Sequence, residues 1–206
     1  MASNPSDQAV ATVQTNEPVD ETNERTPLPV KIVVAGGFAV GKSTFVKSIS
    51  EIEPLTTEAV MTRASEGVDD TGVATEKKTT TVAMDFGRIT LGDDLILYLF
   101  GTPGQDRFLF MWDDLIRGAI GAVVLVDTGR LSDSFLAVDY FERRGIPFVV
   151  AVNCFYGNAY HALEEVREAL AIDADVPIFY TDARMNDATK NTLLQLVQHA
   201  LTRAVS

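Results

Sequence analysis

One short stretch constrains the fold of this chain more than any other feature: Gly36-Gly37-Phe38-Ala39-Val40-Gly41-Lys42-Ser43. It fits the pattern G-x-x-x-x-G-K-[ST], with an apolar run at 30–35 before it and a helix-compatible run at 44–50 after it. In that strand-loop-helix context, successive backbone N–H groups and a helix N-terminus form a concave cradle for phosphate oxygens. The alternative is a plain glycine-rich turn between strand and helix, which the agreement of pattern and context disfavours.

Residues 36–43, here called the phosphate loop, have distinct expected roles. Lys42 would reach the β- and γ-phosphates of a nucleotide, and the Ser43 hydroxyl would be a ligand of Mg²⁺. The loop and the residue after it would line the cofactor site, namely Gly36, Phe38, Ala39, Val40, Gly41, Lys42, Ser43 and Thr44.

Charge and cysteine content narrow the range of partners and compartments. A net charge of −12 over 206 residues opposes binding to nucleic acid and unaided binding to an anionic membrane. A nucleotide is compatible with that charge, because backbone amides, one lysine and a metal would hold it. The single cysteine, Cys154, excludes an intrachain disulfide and fits a reducing compartment. We therefore expect a cytoplasmic protein that reaches a membrane only through a partner.

Composition divides the chain into a tail and one domain. Residues 1–28 are polar and acidic with few large apolar groups, which predicts a disordered acidic tail. Residues 29–205 alternate short apolar runs with amphipathic segments, which predicts a single nucleotide-binding domain. The expected strands lie at 30–35, 82–91, 95–100, 119–126, 146–152 and 176–180, and the expected helices at 42–52, 107–117, 132–144, 159–171 and 187–204.

Strands that are apolar on both faces and alternate with helices predict an α/β three-layer sandwich. We expect about six strands in a mostly parallel sheet. The short link at 91–94 joins two apolar runs and indicates a hairpin, hence one antiparallel edge. The segment 53–80 is long, polar and rich in threonine, and we interpret it as a functional loop, with an ordinary flexible connection as the alternative.

A second group of residues follows the third expected strand: Leu99-Phe100-Gly101-Thr102-Pro103-Gly104-Gln105. With the phosphate loop and the threonines at 79–81, this turn resembles the Ras-like small GTPases in the order phosphate loop, switch I, hairpin, switch II. The runs 79–87, 97–108 and 123–128 are similar to the bacterial branch that includes MglA and the conservon-encoded CvnD proteins. The resemblance extends over residues 29–205 and implies a P-loop NTPase fold of the small G-domain type.

The resemblance also implies roles for the switch residues. Thr81 would be the switch I threonine that coordinates Mg²⁺ and senses the γ-phosphate, with Thr79 and Thr80 as neighbours that could take its place. Gly104 would offer its backbone N–H to the γ-phosphate, and Gln105 would orient the attacking water. The alternatives are that the threonines simply favour a strand and that Gly104 and Gln105 form a plain turn.

Two departures from the GTPase pattern concern the metal and the γ-phosphate. Many GTPases have an aspartate, which holds Mg²⁺ through water, where this chain has Gly101. Its loss weakens the metal site or transfers the task to another acid; Asp127 is a candidate, with a helix cap or turn as its alternative role. Phe38 and Ala39 stand where Ras-type loops carry glycine, and Phe38 would either crowd the γ-phosphate or pack outward. Slow hydrolysis is the expectation.

A third departure concerns the base. Guanine specificity usually rests on Asn-Lys-x-Asp, and this chain has Asn153-Cys154-Phe155-Tyr156. A phenol such as that of Tyr156 cannot accept the two hydrogen bonds that guanine donates to a carboxylate. The segment 181–184 resembles the last base-contacting loop and places the Ala183 N–H toward the base. Asp182 or Asp173 could replace the missing acid.

Arginines and aromatic residues near the switches have two alternative interpretations each. Arg63 and Arg107 could supply a cis arginine to the transition state, although a surface salt bridge is the more common role. One aromatic cluster in switch II predicts either a partner-binding patch or the core face of a helix: Phe108, Phe110, Met111 and Trp112.

The function expected from these features is a guanine-nucleotide-binding molecular switch that binds GTP or GDP with Mg²⁺ and hydrolyses GTP slowly. Lys42, Thr81 and Gln105 would act in catalysis, and Ser43 and Thr81 would bind the metal. Family resemblance implies a roadblock-type regulatory protein or a sibling GTPase as the partner in signalling. One alternative is a pseudo-GTPase scaffold with a degenerate nucleotide site, and a weaker one is an ATP-using P-loop kinase.

Overall fold

The computed structural model describes residues 26–62, 79–92, 94–157 and 159–205. Within them, seven strands form one sheet: β1 (Leu28–Gly36), β2 (Leu55–Thr62), β3 (Thr79–Leu91), β4 (Leu95–Gly101), β5 (Ala119–Val126), β6 (Phe148–Asn153) and β7 (Ile178–Thr181). Five α-helices accompany them: α1 (Lys42–Ile49), α2 (Trp112–Leu115), α3 (Ser132–Arg144), α4 (Leu163–Leu170) and α5 (Asn186–Val205). Three 3₁₀ segments connect these elements: Asp106–Met111, Thr128–Arg130 and Phe155–Gly157.

The strand order of the sheet is β2-β3-β4-β1-β5-β6-β7. β3 runs antiparallel to β2 and β4, and every other neighbouring pair is parallel. β1 therefore lies in the centre, with the later strands added on both of its sides. In open α/β sheets, ligands bind beyond the carboxyl ends of the strands at such a point, because the connecting loops diverge there and leave a crevice.

Two apolar layers cover the sheet because its central strands are buried on both faces. Val33 and Ala35 of β1 pack with α3 and α4 in one layer, which includes the fully buried Phe141. Ile32 and Val34, which point to the opposite face, pack with α1 and α5 in the other layer. The alternation along a single strand thus holds helices against both faces of the sheet.

The predicted fold class, an α/β three-layer sandwich with a mostly parallel sheet, is confirmed with one additional strand. The hairpin between β3 and β4 is present, and Gly92 turns it with a φ of 61°. The interpretation of 53–80 as a loop is wrong for Leu55–Thr62, which forms β2 at the edge of the sheet. It is also wrong for Thr79 and Thr80, which begin β3. Residues 63–78 of that predicted loop and tail residues 1–25 lie outside the described residues.

Three helices are shorter than expected, and α1 is one of them, since it ends at Ile49 in place of residue 52. Residues 106–115 form a 3₁₀ segment followed by the single turn of α2, in place of a helix at 107–117. α4 begins after Ala162, whose N–H donates to the Glu165 carboxylate over 3.0 Å, and it ends at Ala171 with a φ of 53°. These local hydrogen-bonding and backbone features override the longer apolar pattern. No helix in the described ranges is long and apolar enough to cross a membrane.

Candidate functional site

The phosphate loop connects the carboxyl end of β1 to the first residue of α1. Three of its residues have positive φ angles: Gly36 at 137°, Ala39 at 57° and Gly41 at 108°. A Cβ on Gly41 would lie 2.8 Å from Asn153 Nδ2, so a side chain there would be both strained and obstructed. Glycine at this position allows the loop to turn tightly into the helix, which is what a cradle of backbone N–H groups requires.

Lys42 is held at the centre of the loop by its own backbone. Its ammonium group donates to the carbonyl oxygens of Gly36 at 2.9 Å and Gly37 at 2.6 Å. The side chain is only 8% exposed, and burial lowers the pKa of the ammonium from 10.5 to about 8, although the Asp85 carboxylate raises it. An ammonium has three donors, so one remains for a phosphate oxygen.

Ser43 has a partner that the sequence did not indicate. Its hydroxyl donates to Asp85 Oδ2 at 2.6 Å, and Asp85 is 9% exposed on β3. Asp85 stands beside Gly101 of β4, since the register pairs the following Phe86 with Phe100. A Cβ built on Gly101 would lie 3.2 Å from Asp85 Oδ2. The Asp85 carboxylate therefore occupies the space beside the position where many GTPases carry their metal-holding aspartate.

Asp127, the sequence candidate for that acid, has a different role. Its carboxylate accepts the Gly129 N–H at 2.9 Å and forms an ion pair with Arg130 at 3.2 Å. It caps the 3₁₀ turn after β5, which is the alternative that the sequence left open. The signal that could have identified Asp85 is a lone acid within an otherwise apolar and β-branched strand, directly across a hairpin from Gly101.

The switch II turn lies close against the phosphate loop. A Cβ on Gly104 would lie 2.6 Å from Lys42 Nζ and 3.0 Å from the Gly37 carbonyl oxygen, so this approach requires glycine. Gln105 is exposed and lines an open cavity of about 440 Å³ together with Gly37, Phe38 and Asp133. Phe38 is 61% exposed at the cavity rim. The side chains of Thr81 and Arg107, and all of Arg63, lie outside the described part of the chain.

Asn153 attaches the loop at 181–184, which the sequence analysis expects to face the base, to the phosphate loop. Its Nδ2 donates to the Val40 carbonyl at 2.8 Å, and its Oδ1 accepts the Ala183 N–H at 3.1 Å. Burial raises the pKa of the adjacent Cys154 thiol, and the Asp182 charge adds to the increase, so the thiol is held in its unreactive form. The positions that the sequence assigned to the base are thus close together, but the Ala183 N–H, which was expected to face the base, is donated to Asn153 instead. The side chain of Tyr156 is not among those described.

Of the two acids proposed to replace the missing aspartate, Asp182 lies on the base-facing loop, next to Ala183. Its carboxylate accepts Arg184 Nε at 2.9 Å and a second guanidinium nitrogen at 2.6 Å, and the Arg184 hydrogen bonds hold the pKa of Asp182 below its ordinary value. Asp173 lies beyond α4, where its carbonyl oxygen accepts from Arg167.

The aromatic cluster of switch II divides between core and surface. Trp112 is buried against Tyr140 and Phe141 of α3, with ring centroids 5.0 and 5.9 Å apart, and Phe108 is buried as well. Phe110 is 59% exposed, and Met111 is half-buried. Tyr140 also donates to Asp113 of α2 at 2.6 Å, which attaches α2 to α3.

Comparison with solved structures places this fold among G-domains. The G-domain of the T. maritima FeoB iron transporter is 17% identical, with a TM-score of 0.59 over 84% of this chain and 99% of that one. The FeoB G-domain from Methanococcus jannaschii is 15% identical, with a TM-score of 0.54 over 84% of this chain and 97% of that one. The cytosolic domain of T. maritima FeoB, in a GDP form, is 15% identical, with a TM-score of 0.59 over 85% of this chain and 64% of that domain.

These likenesses show a P-loop GTPase-like fold, which confirms that part of the sequence resemblance; the MglA and CvnD branch stays a prediction. Among curated proteins, an uncharacterized protein of Methanocaldococcus jannaschii is 31% identical over 126 residues, which cover 60% of this chain and 69% of that protein. The family described as conserved hypothetical ATP binding protein matches residues 34–203. The chain therefore belongs to the conserved hypothetical ATP binding protein family.

Proposed function

We propose that this protein is a guanine-nucleotide-binding switch that hydrolyses GTP slowly in the presence of Mg²⁺. The observation that carries the proposal is the arrangement of Lys42, Ser43 and Asp85 at the mouth of the phosphate loop. An ammonium group with one donor remaining lies beside a hydroxyl and a carboxylate that are 2.6 Å apart. That set matches the charges of a nucleotide's terminal phosphates and their metal ion.

The residues present fit a magnesium ion. Mg²⁺ prefers oxygen ligands and retains several of its waters, so the Ser43 hydroxyl suits direct binding and the Asp85 carboxylate suits the bound waters. Asp85 would then perform the task of the aspartate that Gly101 lacks, and Thr81 would supply the second hydroxyl ligand. When bound, the ion neutralises charge on the β- and γ-phosphate oxygens.

The chain's own groups would perform the remaining steps. Lys42 binds the β- and γ-phosphates, and the Gly104 N–H faces the γ-phosphate from switch II. Gln105, at the cavity wall, orients the attacking water. Phe38 narrows the approach to that water from the loop side, which supports slow turnover.

We infer guanine as the base from the chemistry of a carboxylate. A carboxylate accepts hydrogen bonds only, and the guanine edge offers two adjacent donors, N1–H and the 2-amino group, where adenine offers one amino group. Asp182, next to Ala183, would supply such a carboxylate on exchanging its contact with the Arg184 guanidinium for one with the base. The family description names ATP, so the base is the first property to measure.

Switching would follow from the contacts of the γ-phosphate with segments 57–81 and 101–112, which hydrolysis would release. Phe110 lies in the second of these segments and Phe38 lies in the phosphate loop. Both side chains are exposed, which supports a protein partner. By resemblance to the MglA and CvnD branch, the partner would be a roadblock-type protein or a sibling GTPase in a signalling pathway.

The second candidate is a pseudo-GTPase scaffold. Tyr156 in place of the base-reading aspartate favours it, since a phenol leaves guanine's donors unpaired. Such a protein would keep the fold and the partner surface while binding nucleotide weakly or not at all.

The deciding experiment measures nucleotide directly. We would identify any nucleotide that co-purifies with the protein, titrate GTP, GDP and ATP with Mg²⁺ by calorimetry, and follow phosphate release. We expect GTP and GDP to bind more tightly than ATP and phosphate to be released slowly.

Two variants control the experiment. Lys42→Ala should abolish binding, whereas Lys190→Ala, at an exposed position on α5, should not. A native chain that binds none of the three nucleotides would refute the proposal and favour the scaffold.

A further inference from the structure

The first turn of α3 packs directly against the phosphate loop. A Cβ built on Gly37 would lie 2.5 Å from Asp133 Cβ, so glycine is needed for this contact. Asp133 also lines the open cavity that Gly104 and Gln105 border. The wall of the cavity next to the expected γ-phosphate therefore carries a carboxylate, which would repel a phosphate unless a cation neutralises it.

A guanidinium group lies next to that carboxylate. Arg130, at the end of the 3₁₀ turn Thr128–Arg130, donates to Asp127 Oδ2 from Nε at 3.3 Å and from a terminal nitrogen at 3.2 Å. Its other terminal nitrogen lies 4.0 Å from Asp133 Oδ2. The side chain is 45% exposed, so it has room to turn. The contact with Asp133 is at the limit of an ion pair and is correspondingly weak.

We propose that Arg130 is a cis arginine that turns from Asp133 into the cavity when GTP is bound and contacts the γ-phosphate in the transition state. The inference rests on the proposed function and adds a catalytic residue to it. Asp127 holds the guanidinium through Nε and one terminal nitrogen, so the group would only have to exchange its weak contact with Asp133 for one with the phosphate. A guanidinium suits this role because its planar fork binds two phosphate oxygens at once.

The reaction step balances with water as the only co-reactant. The oxygen of water forms a bond to the γ-phosphorus, and the bond from that phosphorus to the β–γ bridging oxygen breaks. The electron pair of the broken bond remains on the bridging oxygen of GDP, and the water's proton passes to the released phosphate or to solvent. Arg130 would neutralise charge on the bridging and γ-oxygens as it develops, which lowers the barrier.

The test compares Arg130→Ala and Arg130→Lys with the native chain in single-turnover hydrolysis of GTP and in GDP binding. We expect Arg130→Ala to slow hydrolysis by at least about tenfold and up to about 10³-fold. GDP affinity should change by less than about threefold, since the contact forms only in the transition state. Arg130→Lys should stay slow, because lysine cannot form the bidentate contact, although it can keep the ion pair with Asp127.

A second measurement separates chemistry from structure. GDP with aluminium fluoride and Mg²⁺ mimics the transition state, and we expect it to raise the melting temperature of the native chain more than GDP alone does. Arg130→Ala should lose that additional increase. The matched control is Arg143→Ala, which removes another arginine from the same region of the chain, one paired with Asp139 in an exposed i,i+4 ion pair on α3. The control should behave like the native chain.

The outcomes distinguish this inference from the function on which it rests. A native chain that binds no nucleotide refutes the proposed function. If the native chain binds GTP but does not hydrolyse it, the role of Arg130 is overturned and nucleotide binding stands. The same holds if Arg130→Ala hydrolyses GTP as fast as the native chain does. Hydrolysis that is fully restored in Arg130→Lys also overturns it, because a simple ion pair would then be sufficient.

Discussion

Moving the carboxylate from position 85 to position 101 tests whether Asp85 performs the task of the aspartate that is missing at position 101. The carboxylate would be moved across the β3–β4 hairpin by combining Asp85→Ala with Gly101→Asp. In the native chain a Cβ at position 101 would lie 3.2 Å from both Cβ and Oδ2 of Asp85. The single variant Gly101→Asp is therefore crowded and places two carboxylates side by side, whereas the double variant has room for one.

The structure gives magnitudes for each variant. Overpacking at a buried site costs about 1–3 kcal/mol, so Gly101→Asp alone should lose at least that much stability. Asp85→Ala removes the hydrogen bond from Ser43, for which a charged acceptor makes about 1.5–3 kcal/mol typical. Two effects reduce that loss to about 1–2 kcal/mol: the Ser43 hydroxyl can bond to water instead, and the variant no longer has to bury the charge of Asp85. We expect the double variant to be about 1–3 kcal/mol more stable than the sum of the two single changes.

Urea unfolding of the native chain and the three variants measures this coupling without nucleotide. A second assay follows GDP release as Mg²⁺ is removed by a chelator. Loss of a group that orients a metal's ligands typically lowers metal affinity by about 10–100-fold. We expect a loss of about that size for Asp85→Ala, and partial recovery of Mg²⁺ affinity in the double variant. Asp139→Ala, in an exposed ion pair, is the matched control. Additive stabilities, or a metal dependence unchanged by Asp85→Ala, would refute the reasoning.

Four further predictions concern Lys42, Tyr140 and Asp182. Burial lowers the pKa of Lys42 to about 8, and a bound phosphate would favour its protonated form. Nucleotide affinity measured by calorimetry should therefore be constant below pH 8 and fall above it. An affinity that stays constant up to about pH 10 would contradict this. In the nucleotide-free chain, the unfolded state binds more protons between pH 8 and 10.5, so this lysine should make stability to urea rise with pH in that interval. Tyr140→Phe removes the hydrogen bond to Asp113 and should cost about 1–2 kcal/mol in urea unfolding, and no loss would show that α2 is not attached to α3 there. Asp182→Asn should weaken GDP and strengthen xanthosine diphosphate, whose 2-oxo group accepts from an amide, and an unchanged ratio of the two affinities would exclude Asp182 as the base-reading group.

Elements with a strong local signal could be predicted from the sequence. α3 was expected at 132–144 and spans Ser132–Arg144, because an apolar face at helical spacing and a glycine after Arg144 mark both its face and its end. The phosphate loop was equally clear, because its pattern combines backbone freedom at Gly41 with the chemistry of Lys42 and Ser43.

The sequence analysis missed β2 and Asp85, for different reasons. β2 is an edge strand of mostly polar and β-branched residues, whose sequence lacks a clear apolar alternation, and its pairing with β3 is what identifies it as a strand. Asp85 gains its role from the residue opposite it, and apolar periodicity does not show that a carboxylate on one strand will fill the space left by Gly101 on the next. Both depend on pairing between strands, which a linear pattern does not contain.

Under the proposed function, Asn153 would make recognition of the base and recognition of the phosphates depend on each other. One amide side chain joins the Val40 carbonyl of the phosphate loop to the Ala183 N–H of the base-facing loop. A displacement of either loop must stretch or break one of these two hydrogen bonds. Guanosine and pyrophosphate, offered separately, should therefore bind cooperatively when both are present, since the first to arrive pre-orders the pocket for the second.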